Sequence, residues 1–147
     1  MQVKLMHGIF VNKPPAVVFD FLSNPDNMLQ WQSSMFEIKG KTKANAHGKL
    51  QHGTKVHDHR KVLGKQIDAE WEVVDLVQDK KLVLQVTSGT VPWKTTYLLE
   101  PHEGGTHLAV EGMGDLGQVP VSASAAQRTC QRMFEQDLTT LADILEH

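Results

Sequence analysis

The stretch Ala123-Ser-Ala-Ala-Gln127-Arg-Thr-Cys130-Gln-Arg-Met133-Phe134-Glu-Gln-Asp-Leu138-Thr-Thr-Leu141-Ala-Asp-Ile-Leu145 decides how the rest of the chain is read. Its residues Ala123, Ala126, Cys130, Met133, Phe134, Leu138, Leu141 and Leu145 recur at helical spacing on one broad face. Arg128, Arg132, Glu135 and Asp143 lie mostly off that face. At 1.5 Å per residue, ~25 residues span roughly 37 Å, which is long for a chain of 147 residues. An apolar stripe of that length needs one extended partner, and a curved sheet with an inward apolar face supplies it.

The sheet is legible upstream. Between Met35 and Met113 the chain shows short alternating runs separated by turn signals, the form of an antiparallel meander. The runs fall at about 35–43, 53–63, 66–78, 81–88, 92–100 and 106–114. The cleanest sets Ile67, Ala69, Trp71 and Val73 against Asp68, Glu70 and Glu72. The pattern slips at Val73-Val74, where a bulge is expected. Before the meander, Val3, Leu5, Ile9 and Val11 alternate as a strand, Pro14-Pro15 ends it, and two brief helices follow, the second running to about Trp31. Gly112-Met-Gly114-Asp-Leu-Gly117 reads as a flexible connection into the last helix.

Composition bounds the function. With 15 Lys and Arg against 17 Asp and Glu, the formal charge is −2, which provides no electrostatic footprint for nucleic acid. The single cysteine, Cys130, excludes an internal disulfide framework and a multi-cysteine zinc site. There is no secretory signal and no apolar run of ~18 residues, so the chain is expected to be a single cytoplasmic domain over residues 1–147. Leu145-Glu146-His147 resembles the start of an expression-tag scar and carries no functional weight here.

Pro14-Pro15-Ala-Val-Val-Phe19-Asp-Phe-Leu-Ser-Asn24-Pro25-Asp-Asn27, followed by Trp31, is similar to the entry signature of a known superfamily. Ile67-Asp-Ala-Glu-Trp71-Glu-Val, Tyr97-Leu-Leu-Glu-Pro101, Gly105-Thr106-His-Leu108 and Asp137-Leu138-Thr-Thr-Leu141 follow in family order. Taken together the chain resembles the START and birch-pollen-allergen-like helix-grip superfamily (SRPBCC), in its polyketide cyclase/dehydrase-like branch. The resemblance implies an α+β fold in which a seven-stranded antiparallel sheet curls around the C-terminal helix and leaves a cavity between them. Such folds host carriers, sensors, cyclases and chaperone activators.

Ala123, Ala125 and Ala126 make the first half of the helix slim, whereas Phe134, Leu138, Leu141 and Leu145 make the second half bulky. The cavity is therefore expected beside residues ~120–134, with a volume of ~300–1,000 Å³. Its expected sheet wall comprises Phe36, Val56, Ala69, Trp71, Leu84, Trp93, Thr95 and Val110, and its helix wall Ala123, Ala126, Gln127, Cys130 and Phe134. Asp58 and Arg60 share the inward phase of Val56 and Val62, and an inward charge needs a partner. This pair reads either as a polar anchor in the cavity or as an ion pair at its mouth. Tyr97 and Trp71 each have a polar tip that wants a partner when buried. Cys130 reads as a small structural hydrophobe.

His57 and His59 share the other face of their strand and could hold a metal if a third ligand arrived. Lys55 and Lys61 lie on that same face, so it reads as a basic, solvated stripe, and no metal or other cofactor is expected.

The residues then support a binder or carrier of a small hydrophobic, partly polar molecule. A cyclase or dehydratase is the second reading, with Asp58 or Tyr97 moving a proton and Arg60 stabilising an enolate. A chaperone-activator-like module is the third and requires an exposed apolar patch. Neither nucleic acid nor a membrane span enters any of them. A homodimer through an edge strand is compatible with the sequence but is argued by no residue pattern.

Overall fold

In the computed structural model, which describes residues 1–147, the Ser122 hydroxyl accepts a hydrogen bond from the Ala125 amide at 3.2 Å and so caps the last helix. This helix, α3, runs Ala123–Glu146 and turns Ala126, Cys130, Leu138, Leu141 and Ala142 inward. Ahead of it come β1 (Gln2–Val11), α1 (Pro15–Leu22), a 3-10 turn (Pro25–Asn27) and α2 (Met28–Trp31). The meander follows as β2 (Met35–Thr42), β3 (Lys55–Val62), β4 (Lys65–Val77), β5 (Lys81–Gly89), β6 (Trp93–His102) and β7 (Gly105–Asp115). Pro15 sits in the first turn of α1, where its missing N–H leaves no hydrogen bond unmade.

All seven strands form one antiparallel sheet in the order β1-β7-β6-β5-β4-β3-β2. This is the α+β helix-grip architecture, and the expected strand limits hold to within two residues. The β3–β4 hairpin turns on Leu63 (φ 52°) and Gly64 (φ 76°), the pair of left-handed residues that a tight hairpin with right-handed twist demands. The sheet bends at register shifts in β2, between Met35 and Glu37 and between Ile38 and Gly40, and in β4 between Glu70 and Trp71 and between Val73 and Asp75. The last of these is the bulge anticipated at Val73-Val74.

One expectation is corrected. Gly112 to Asp115 do not form a loose connection but continue β7, paired to β1 and β6. The glycine has a packing reason: a Cβ at Gly112 would meet the Trp93 ring at 2.9 Å.

The apolar interior is divided. A larger cluster gathers α1, α2 and the C-terminal half of α3 around residues such as Leu22, Met28, Trp71, Leu82 and Leu141. A smaller one packs Val3, Leu5, Ile67, Val91, Leu116 and Cys130 at the other end. Helix α3 is also stitched to the edge strand β1. The Gln127 side-chain amide donates to the Lys4 carbonyl at 2.7 Å and accepts the Lys4 N–H at 3.3 Å. Gln131 does the same at Met6, at 2.8 and 3.3 Å. Four helical residues advance about 6 Å and two strand residues about 6.8 Å, so the two ladders match. At the far end Glu146 accepts the Asn12 N–H at 2.8 Å.

Candidate functional site

A cavity of about 140 Å³ lies between the sheet and α3, at the seam of the two apolar clusters. Of its 23 lining residues 18 are hydrophobic, so its few polar groups set its chemistry. The volume is below the expected range and close to that of an apolar cavity of about 150 Å³ able to hold one benzene ring. Ten expected residues line it: Arg60, Ala69, Trp71, Leu84, Trp93, Thr95, Tyr97, Val110, Cys130 and Phe134.

Four of the five polar lining residues, Gln32, Ser34, Arg60 and Asp137, gather near Tyr97, while Thr95 accepts the Trp93 Nε1–H at 3.1 Å. Arg60 donates to Asp58 through both Nε and Nη2, at 3.3 and 3.0 Å, and to Gln32 Oε1 through Nη1 at 3.3 Å. Asp58 is fully buried and also accepts the Trp71 Nε1–H at 2.7 Å. A buried carboxylate needs such partners to offset its desolvation. Of the inward pair, Arg60 lines the cavity while remaining ion-paired to Asp58, which does not reach it. Asp58 stands behind the wall and orients two lining residues, Arg60 and Trp71, toward the cavity.

Tyr97 is buried against Trp31, ring centroids 6.4 Å apart and nearly perpendicular. Burial pushes its phenol far above the ordinary value, with Arg60 opposing and Asp137 adding to the rise. The hydroxyl is thus a proton donor at physiological pH. Asp137 also lines the cavity. Burial raises its carboxyl pKa, against lowering by the Ser33 side chain and amide and by Arg60. The Ser33 N–H donates to Asp137 Oδ1 at 3.2 Å, and the Ser34 carbonyl accepts the Lys61 N–H at 2.8 Å. The segment after α2 is thereby pinned to both α3 and β3, and Gln32 and Ser34 form part of the wall. At this wall the Trp31 indole N–H is buried without a hydrogen-bond partner.

Several expectations are corrected. Phe36 is 57% exposed because Met35 takes the inward position and strand alternation puts its neighbour on the outer face, where Phe36 stacks on His59. Val56 is buried in the larger cluster without reaching the cavity. Ala123 is exposed, and Ala126 is buried but does not line the cavity. Gln127 spends its amide on Lys4 rather than on a ligand. The cavity therefore sits one to two turns further along α3, against Cys130, Met133, Phe134, Asp137 and Leu138. Small residues in the first turns do not leave room there; beside them Gln127 and Gln131 tie α3 to β1.

Asp137, Gln32 and Ser34 were not anticipated. Asp137 had a usable signal: it falls seven residues after Cys130 and beside Leu138, on the inward stripe. Gln32 and Ser34 had none, since a loop carries no periodicity. The Cys130 thiol has its pKa raised by burial, which suits a packing role.

The outer face of β3 is not simply basic. Strand pairing sets Asp68 opposite His59, Glu70 opposite His57 and Glu72 opposite Lys55.

A family model described as polyketide cyclase / dehydrase and lipid transport matches residues 2–146. Among solved structures, a START superfamily protein from Mycobacterium smegmatis aligns with a TM-score of 0.75 at 14% identity over 97% of each chain. The Aha1 dimer from Colwellia psychrerythraea aligns at 0.64 and 19% identity, over 98% of this chain and 96% of that one. Ara h 8.0201 aligns at 0.67 and 12% identity, over 99% and 98%. At such identities the likeness is one of fold. No curated protein matches the sequence. No helix is long and apolar enough to cross a membrane.

Proposed function

Because the chain belongs to the polyketide cyclase / dehydrase and lipid transport family, we propose that it binds a small, mainly apolar molecule carrying one polar end in the cavity between the sheet and α3. The observation that carries this reading is the one-sided distribution of polarity: an apolar chamber with Arg60, Tyr97 and Asp137 converging at one end. Arg60 is held in place by Asp58, so little ordering is left for a ligand to impose. The unpartnered Trp31 N–H supports a ligand with an acceptor group, since an unmade buried hydrogen bond costs about 1–3 kcal/mol. The volume suits a body of one ring or a short alkyl chain. A carboxylate or carbonyl suits the guanidinium end.

Calorimetric titration with monocyclic aromatic acids, beside hydrocarbons of the same shape, tests this. The acids are expected to bind better than the hydrocarbons. Tyr97→Phe should lower their affinity about threefold to tenfold, the worth of one hydrogen bond. Arg60→Lys, which keeps the charge and loses the planar fork, should lower it about tenfold. Absence of binding by every acid, or affinities equal in all three proteins, would overturn the reading.

A second reading is favoured by one observation, the convergence on that polar end of a phenol and a carboxyl whose pKa burial raises, which makes its carboxylate a stronger base. In it Asp137 takes a proton from the carbon next to a ligand carbonyl while Arg60 faces the enolate oxygen. Deuterium uptake at that carbon, present in the wild type and lost in Asp137→Asn with binding retained, separates a catalyst from a carrier.

A further inference from the structure

His59 is a ring without a hydrogen bond. Both of its nitrogens are buried and unpartnered, although the side chain lies on the outer face of the sheet, away from the cavity. Phe36 stacks over it with ring centroids 6.1 Å apart and 23° between planes. Next to it His57 tilts at 5.4 Å, and across the β3–β4 pairing Asp68 stands directly opposite. His57 Nε2 lies 2.6 Å from Asp68 Oδ1, and His59 Nδ1 lies 3.3 Å from that same oxygen. One donor atom from each of the three residues falls within 4.8 Å of the others.

We propose that His57, His59 and Asp68 form a binding site for a divalent transition-metal ion of the zinc type, on the outer face of the sheet. Bonds of about 2.0–2.1 Å in a tetrahedral shell place ligands roughly 3.3 Å apart. The His59–Asp68 pair already has this spacing, and the His57–Asp68 pair reaches it by opening under 1 Å, with the metal replacing their direct contact. The remaining nitrogen of His59, Nε2, faces Glu37 Oε1 at 3.8 Å. A carboxylate behind a ligating imidazole fixes its tautomer and strengthens it as a ligand.

Charge supports the assignment. Lys55 and Lys61 share the face of β3, but Lys55 is neutralised by Glu72 at 3.9 Å and Lys61 sits opposite Gln66, beyond the cluster. Glu37, Asp68 and Glu70 surround the histidines. Two imidazoles and one carboxylate select zinc, nickel or copper over magnesium and calcium, which prefer oxygen shells. Asp68 is half exposed, so the fourth position opens to solvent, the arrangement of a site that keeps a bound water. Because its two histidines alternate along β3 with Asp58 and Arg60, the site lies back to back with the polar end of the cavity. It does not depend on what the cavity binds.

The test is calorimetric titration of the metal-free full chain with zinc chloride, repeated with magnesium chloride and with single variants whose fold is checked by circular dichroism. One equivalent of zinc is expected to bind in the micromolar range and magnesium not at all. His57→Gln, His59→Gln and Asp68→Asn should each weaken zinc at least tenfold, while His52→Gln, as control, should not. Ring-nitrogen resonances of His57 and His59 should shift together on saturation. Failure to bind zinc, an unaltered affinity in His59→Gln, or an equal loss in His52→Gln would overturn the assignment.

Discussion

Asp58 and Arg60 differ by two positions and have opposite duties. Asp58 is fully buried, and every hydrogen bond it makes orients something else. Arg60 reaches past it to the cavity. The alternation of β3 reveals that both face inward, but only the folded strand shows which one meets the empty space. Asp137 is the clearer source of a measurable signature. Burial raises its pKa, so the folded chain holds its proton more tightly than the unfolded chain does. Stability therefore falls as pH climbs from the ordinary carboxylate value of about 3.9 through the raised folded value, and stays lower above it. Asp137→Asn removes this loss. The thermal midpoint of the variant minus that of the wild type should be larger at pH 7 than at pH 4, and a difference independent of pH would contradict the assignment.

At the scale of elements, the contact between α3 and β1 turns sequence expectation around. The slim start of α3 opens no cavity, since Ala123 is exposed and Ala126 is buried away from it, while Gln127 and Gln131 close the backbone groups of an edge strand. An open edge is a template for pairing with another chain. Replacing both glutamines with alanine removes four hydrogen bonds, each worth about 0.5–1.5 kcal/mol. We expect urea denaturation to show a loss of about 2–6 kcal/mol and size-exclusion chromatography to show new self-association. An unchanged denaturation midpoint would mean the ladder contributes nothing. The helix itself, the strand phases and the bulge near Val73 were readable because each depends on residues close in sequence. The ladder was not, because Gln127 and Lys4 are 123 residues apart.

For the whole molecule, the cavity lies where two apolar clusters packing from opposite ends are bridged by Phe134 rather than fused. Cys130 stands at that junction. Cys130→Leu adds a branched side chain where there is space for it. Thermal denaturation should show a midpoint equal to or above that of the wild type, with affinity for an aromatic acid reduced at least tenfold. Undiminished binding in a stable variant would place the ligand elsewhere.

Local periodicity determined what each segment is: a helix with one apolar stripe, strands with one apolar face, turns where glycine or proline interrupts them. Those features follow from the 3.6 and 2.0 residue repeats of the backbone and need no knowledge of distant neighbours. Tertiary structure alone decided which inward side chains touch a void and which touch each other. It also decided that Met35 rather than Phe36 points inward, and that the Asp68 carboxylate comes within reach of two histidines. Each of these is set by strand register and by how closely elements approach, quantities fixed by the packing of the entire chain at once.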